Sequence, residues 1–130
     1  MAPSSFAALP ALTRALKLQD KAGKVGFDWN DPRAVLAKIR EEADEIEAAL
    51  DQKLPGDAAA EVGDLLFAVV NLARHLGADP EATLRATNLK FERRFGSIEQ
   101  ALAARGKSPA QATLAEMDAL WNAAKAAEKT

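Results

Sequence analysis

Apolar residues recur along this chain at the three- and four-residue spacing of amphipathic helices. No stretch alternates long enough to make a half-buried strand. The pattern predicts five helices. The first runs from about Leu9 to Lys24, with Leu12 and Leu16 on one face, and ends in a loop containing Gly23, Gly26 and Asp28-Trp29-Asn30. Asp31 followed by Pro32 reads as an N-cap with proline at the first helical position. It opens a second helix that reaches about Gln52, before Leu54-Pro55-Gly56. Asp57 is placed to cap a third helix, which continues to Gly77 as its C′ glycine. Asp79-Pro80 repeats the opening for a fourth helix to about Gly106, with a bend at Gly96. Thr113 and Glu116 have capping-box spacing for a fifth, which contains Met117, Leu120 and Trp121.

Composition agrees with an all-α reading. The sequence holds 30 alanines and no tyrosine, and alanine favours helices over strands. Its 130 residues suit one domain, with a core of about 9–129. The 17 basic and 19 acidic residues leave a net charge of −2. A chain without a basic excess is not expected to bind nucleic acid. The absence of cysteine excludes disulfides, thiolate metal sites and cysteine nucleophiles. The single histidine, His75, excludes any site that needs two. Met1 to Phe6 lacks a basic segment followed by an apolar run, so no secretory signal is expected. The most apolar stretch, Val62 to Ala73, is interrupted by Asp64 and Asn71 and is too short to cross a bilayer. A cytoplasmic protein without a membrane partner is expected.

The acidic residues carry the chemistry. Helix two contains Glu41, Glu42, Asp44, Glu45 and Glu47; such a run is commonly a solvated face. Helical phase separates its members. About an apolar stripe of Val35, Ile39, Ala43, Ile46 and Leu50, Glu42 falls on the margin, Glu45 one turn on and further out, and Glu41 opposite, toward water. Helix three is apolar on most sides, which predicts burial on most sides. Glu61, Asp64, Asn71 and His75 nevertheless share one narrow strip, with Ala68 between them. A buried carboxylate needs a cation or a proton. A hydrogen-bonded polar seam, or an arginine paired with Asp64, is the alternative. Helices joined by a short loop pack antiparallel. The pairs Glu42/Glu45 and Glu61/Asp64 then converge, and an all-carboxylate set suits Mg²⁺ or Mn²⁺. His75 lies too far along helix three to be an expected ligand.

Helix four has an apolar face of Leu84, Phe91, Phe95, Ile98 and Leu102. Lys90 and Arg94 share one flank, with Thr83 and Thr87, and Arg93 points away. A Lys/Arg pair beside an acidic metal site suits a polyphosphate; neutralisation of surface acids is the bland reading of the same pair.

Glu41-Glu42-x-x-Glu45 followed by Glu61-x-x-Asp64 resembles the EExxE…ExxD signature of the MazG nucleotide pyrophosphohydrolases. Val25-Gly-Phe-Asp-Trp29, Gly63-Asp-Leu-Leu-Phe67, Val70-Asn-Leu-Ala-Arg-His-Leu76, Asn88-x-Lys-Phe-Glu-Arg-Arg-Phe95, Ala104-Arg-Gly106 and Trp121 extend the resemblance from about Leu9 to Lys129. It implies a helical bundle of the all-α NTP pyrophosphatase type, dimerising through its central helices. It also implies Mg²⁺-dependent hydrolysis of nucleoside triphosphates to the monophosphate and pyrophosphate. Carried over, Glu42, Glu45, Glu61 and Asp64 are metal ligands. Lys90 and Arg94 hold phosphates, Asn88 is a wall residue, and Trp121 and Lys125 lie near the nucleotide. Glu45 is the choice for handling the attacking water. MazG itself usually carries two such domains in tandem, whereas this chain carries one. The alternatives are a member with narrower specificity, for dUTP, dCTP or phosphoribosyl-ATP, and a non-catalytic helical interaction module.

Overall fold

A computed structural model of the protein describes Phe6 and residues 8–129. The segment read above for a secretory signal lies, apart from Phe6, outside the described residues. The elements run α1 (Ala11–Gly23), α2 (Pro32–Asp51), α3 (Pro55–His75), α4 (Pro80–Ala104), a 3₁₀ turn (Pro109–Gln111) and α5 (Leu114–Ala127). The described residues contain no strand, and no helix among them is long and apolar enough to cross a membrane.

Local chemistry explains most helix ends. The Asp31 side chain accepts from the backbone N–H of Arg33 (2.7 Å) and Ala34 (3.1 Å). Asp79 does the same for Glu81 at the start of α4. The third helix begins two residues before the expected cap, because Pro55 occupies its first position. Asp57 lies in the first turn, where its charge meets the positive end of the helix dipole. Half of the predicted box at α5 forms: Thr113 accepts from the Glu116 N–H. The Glu116 carboxylate instead takes Arg105 at 2.8 Å and Lys107 at 3.2 Å. The short 3₁₀ turn carries no apolar periodicity and was not expected.

Four helices end in the same Schellman closure, with paired six-to-one and five-to-two backbone bonds; after α1 these are Phe27 N–H to Ala22 O and Gly26 N–H to Gly23 O. At Gly77 these are Ala78 N–H to Ala73 O and Gly77 N–H to Arg74 O; at Gly106 they are Lys107 to Leu102 and Gly106 to Ala103. Both glycines have the positive φ this closure needs, +71° and +72°. At the α2–α3 turn, Leu54 bonds to Ala49 and Lys53 to Leu50. There Lys53 holds φ +57°, a conformation that costs a side chain energy.

The described residues gather into two compact units, one reaching to Thr83 and the other beginning at Leu84 within α4. In the first, α2 and α3 pack antiparallel and α1 also packs on α3. The buried line of α2 is Val35, Glu42 and Ala49, so the packed face is rotated from the expected stripe, and Ala43 and Leu50 are exposed. The third helix is not covered on most sides. Ala58, Ala68, Val70 and Asn71 are buried, whereas Val62, Leu66, Phe67 and Val69 are about half exposed. Two neighbouring helices shield only part of its circumference. In the second unit, Ile98 and Leu102 of α4 are buried, but Leu84 and Phe91 of the predicted apolar face are exposed.

Candidate active site

The α2–α3 pairing brings Glu42, Glu45 and Glu61 together. One oxygen from each lies within 4.8 Å of the others. Glu42 is buried because it interrupts the packed line of α2; Glu61 is half-buried, and Glu45 faces solvent. Glu42 Oε2 and Glu61 Oε2 are both buried without a hydrogen-bond partner among the described residues. Orphaned carboxylate oxygens at such spacing repel one another. The effect is visible at Glu61, whose pKa is raised to about 7 by Glu45 first, then Glu42, with partial desolvation adding to it. Three hard oxygen donors, two of them buried without a partner, fit a divalent cation such as Mg²⁺.

Asp64, the fourth predicted ligand, stands outside this trio. It is exposed one turn along α3 and lines a pocket of about 150 Å³ with Glu42, Lys38, Trp29 and Asn71. Glu41 faces water as expected. Lys38, absent from the expected site, reaches Glu42 at 3.2 Å and Glu41 at 3.5 Å. Its ordinary i,i+4 spacing to Glu42 is the only signal for it in the sequence.

One wall of the pocket is fastened by a clamp. Asp28, in the α1–α2 loop, accepts from Arg74, from its neighbour's Trp29 N–H at 2.8 Å, and pairs with His75 Nε2 at 3.0 Å. The Arg74 hydrogen bond is the main reason that the Asp28 pKa is lowered to about 2. Arg74 Nε also donates to Asn71 Oδ1 at 3.0 Å. His75 is therefore a partner of Asp28, a contact made across 47 residues of chain that periodicity does not register.

In the second unit, Arg94 is mostly buried. Its Nε and Nη2 donate to Glu128 at 3.1 and 2.8 Å, and its guanidinium lies 5.3 Å from the Trp121 ring centre. Trp121 packs against Phe91, which stacks on Phe95. Arg93 does not point clear of this group: it reaches the same Glu128 at 3.3 Å. Two arginines on adjacent positions converge because the carboxylate comes from the end of α5, which helix phase alone does not reveal. Asn88, Lys90 and Lys125 are exposed.

Comparison with known proteins follows the same residues. The MazG nucleotide pyrophosphohydrolase domain matches residues 30–97, a span that includes every carboxylate of the site. The chain is 45% identical over 125 residues to the nucleoside triphosphate pyrophosphohydrolase of Escherichia coli K12, covering 92% of this chain and 46% of that protein. It is 40% identical over 122 residues to the nucleoside triphosphate pyrophosphohydrolase/pyrophosphatase MazG of Thermotoga maritima, covering 94% and 47%. A Bacillus subtilis protein, the uncharacterized protein YabN, is 49% identical over 70 residues, 54% of this chain and 14% of its own length. The chain thus spans about half the length of the curated pyrophosphohydrolases it matches.

Proposed function

The chain belongs to the MazG nucleotide pyrophosphohydrolase family, and from that membership we propose that it hydrolyses nucleoside triphosphates to the monophosphate and pyrophosphate. The observation that carries this reading is the convergence of Glu42, Glu45 and Glu61 beside a pocket that also holds Asp64 and Lys38. Glu42, Glu45, Glu61 and Asp64 hold Mg²⁺, with Mn²⁺ as a substitute. A cation bound there would offset triphosphate charge and lower the pKa of a coordinated water.

The chain's own groups divide the remaining work. Glu42 has one oxygen paired with Lys38 and the other buried, and Glu61 is half-buried beside it. Glu45, exposed and the least constrained of the three, orients and deprotonates the attacking water. Water adds to a phosphorus of the anhydride, the P–O bond breaks, and pyrophosphate leaves with the charge it gains. Lys90 and Arg94 hold phosphates and balance that charge, and Lys38 adds a cation at the pocket wall. Asn88, Trp121 and Lys125 line the nucleotide's path. A cytoplasmic role on the nucleotide pool follows from such a substrate.

The protein acts as a homodimer through its central helices. The half-exposed Val62, Leu66 and Val69, at i, i+4 and i+7 on one face of α3, support this, because an exposed apolar face of that kind marks an interface.

Measuring pyrophosphate released from the common ribo- and deoxyribonucleoside triphosphates, with and without Mg²⁺, tests the activity. Equal amounts of monophosphate and pyrophosphate, released only with metal, are expected. Asp64→Asn should abolish turnover and Glu41→Gln should retain it. Orthophosphate as the sole product, or full activity in Asp64→Asn, would overturn the assignment.

A further inference from the structure

Glu128 stands at the C-cap of α5, its N–H bonded to Ala124 O. A carboxylate there meets the negative end of the helix dipole, so local helix energetics do not account for it. Two arginines of α4 do. Glu128 Oε2 accepts from Arg94 Nε at 3.1 Å and from Arg94 Nη2 at 2.8 Å. Oε1 accepts from Arg93 Nε at 3.3 Å. The Arg94 bonds hold the Glu128 carboxyl below the ordinary glutamate range, against partial desolvation and with help from Arg93. The acid is therefore ionised at neutral pH, and two cations around one anion leave the group positive.

Trp121 completes the setting. Its ring lies 5.3 Å from the Arg94 guanidinium and is backed by Phe91, with 5.6 Å between ring centres. Glu128 thus fixes one edge of the guanidinium while the indole covers a face. The Nη1 end of the fork is not taken by Glu128, and Lys90 lies one turn earlier on the same helix. An arginine held in this way has lost its rotamer freedom before any anion arrives, so that ordering is not subtracted from binding. Fastening α5 to α4 does not depend on this pair. Trp121 already packs on Phe91, and Glu116 in the first turn of α5 holds Arg105 and Lys107.

We propose that Glu128 is a positioning residue of the phosphate site: its carboxylate, braced by Arg93, orients the Arg94 guanidinium so that the remaining N–H groups meet the triphosphate beside Lys90. The inference rests on the assignment of Arg94 to phosphate made above, and it adds a residue that itself touches no phosphate. Recognition of phosphate by the planar fork depends on its orientation. Loss of Glu128 leaves the charge at position 94 and removes its aim.

The test uses the full chain with Mg²⁺ and reads pyrophosphate release and, by calorimetry, affinity for inorganic tripolyphosphate. Glu128→Ala should lower kcat/KM for nucleoside triphosphates by about three- to tenfold, less than Arg94→Ala does. Tripolyphosphate affinity should fall by a similar factor. Glu128→Gln keeps a carbonyl oxygen for Arg94 without the charge, and should recover most of both. In an Arg94→Ala background, Glu128→Ala should cause no further loss, an outcome that a role confined to holding α5 would not produce. Equal losses from Glu128→Ala in both backgrounds would overturn the positioning role. So would tighter tripolyphosphate binding in Glu128→Ala and Glu128→Gln alike, which would make the carboxylate a competitor that the anion displaces. Unchanged kcat/KM and tripolyphosphate affinity in Glu128→Ala, beside a clear loss in Arg94→Ala, would overturn the positioning role and leave the phosphate site standing. Full activity in Arg94→Ala would overturn the phosphate assignment and the positioning role with it. Should no nucleotide be hydrolysed, tripolyphosphate affinity across the same variants still decides the role of Glu128.

Discussion

Glu42 and Glu61 face one another across the α2–α3 seam, each with a buried oxygen that no described residue satisfies. Helix packing has brought like charges together at the edge of a small core, where Glu45 and Glu42 disfavour ionisation of Glu61.

Glu61→Gln should therefore stabilise the metal-free protein while removing activity. The Glu61 pKa is raised, to about 7 from 4.5, so folding favours its protonated form. That contribution is present below about pH 4.5 and is lost as pH rises through 7. Thermal melts in chelator should show parent and variant similar at pH 5 and the variant more stable at pH 8. A parent protein that gains stability over that interval would contradict the sign.

Asp28 has the opposite sign. Its pKa is lowered to about 2, chiefly by Arg74, so its contribution is complete above about pH 4 and disappears as pH falls toward 2. Asp28→Asn should flatten the Tm profile between pH 4 and 2 and lower the plateau above it. An unchanged profile would mean that the clamp does not hold the loop.

Lys90→Ala and Arg94→Ala should each reduce kcat/KM for nucleoside triphosphates by about ten- to a hundredfold, the range for a lost charge-assisted contact. Arg93→Ala should do less. Arg93 is 60% exposed at its side chain, whereas Arg94 is held at 11% between Glu128 and Trp121. Equal defects in all three would place the effect in long-range charge.

Light scattering at micromolar concentration should find a dimer, with a mass twice 13.8 kDa. Phe67→Glu, which sets a charge on a half-exposed apolar position of α3, should dissociate, aggregate or unfold it. A single parent species at the mass of one chain would leave the apolar face of α3 without a partner.

Features set by neighbouring residues were legible in the sequence. Asp31-Pro32, Asp79-Pro80 and Thr113 open helices through bonds to residues two or three positions away, and Gly77 closes one. The packed face of α2 was less so. Ile39, Ala43 and Leu50 weigh in a hydrophobic average as heavily as Val35 and Ala49, yet only the latter two are buried, with Glu42 between them. A sequence average cannot separate an apolar face that packs within the chain from one left at the surface. The helical phase of Glu42, Glu45 and Glu61 was sufficient to bring them together, and the same reasoning included Asp64, which stands apart. The Asp28–His75 pair and the sharing of Glu128 by two arginines depend on tertiary contacts and left no periodic trace.

The raised pKa of Glu61 also makes the carboxylate cluster a proton store. With its pKa raised toward neutrality by Glu45 and Glu42, its carboxyl holds its proton more tightly than an ordinary glutamate, and a divalent cation settling among the three oxygens would compete with that proton. Metal uptake is then an exchange, one ion in and a fraction of a proton out. The heat of binding at pH 7 should vary with the ionisation enthalpy of the buffer, and the metal's apparent affinity should climb with pH until Glu61 is fully ionised.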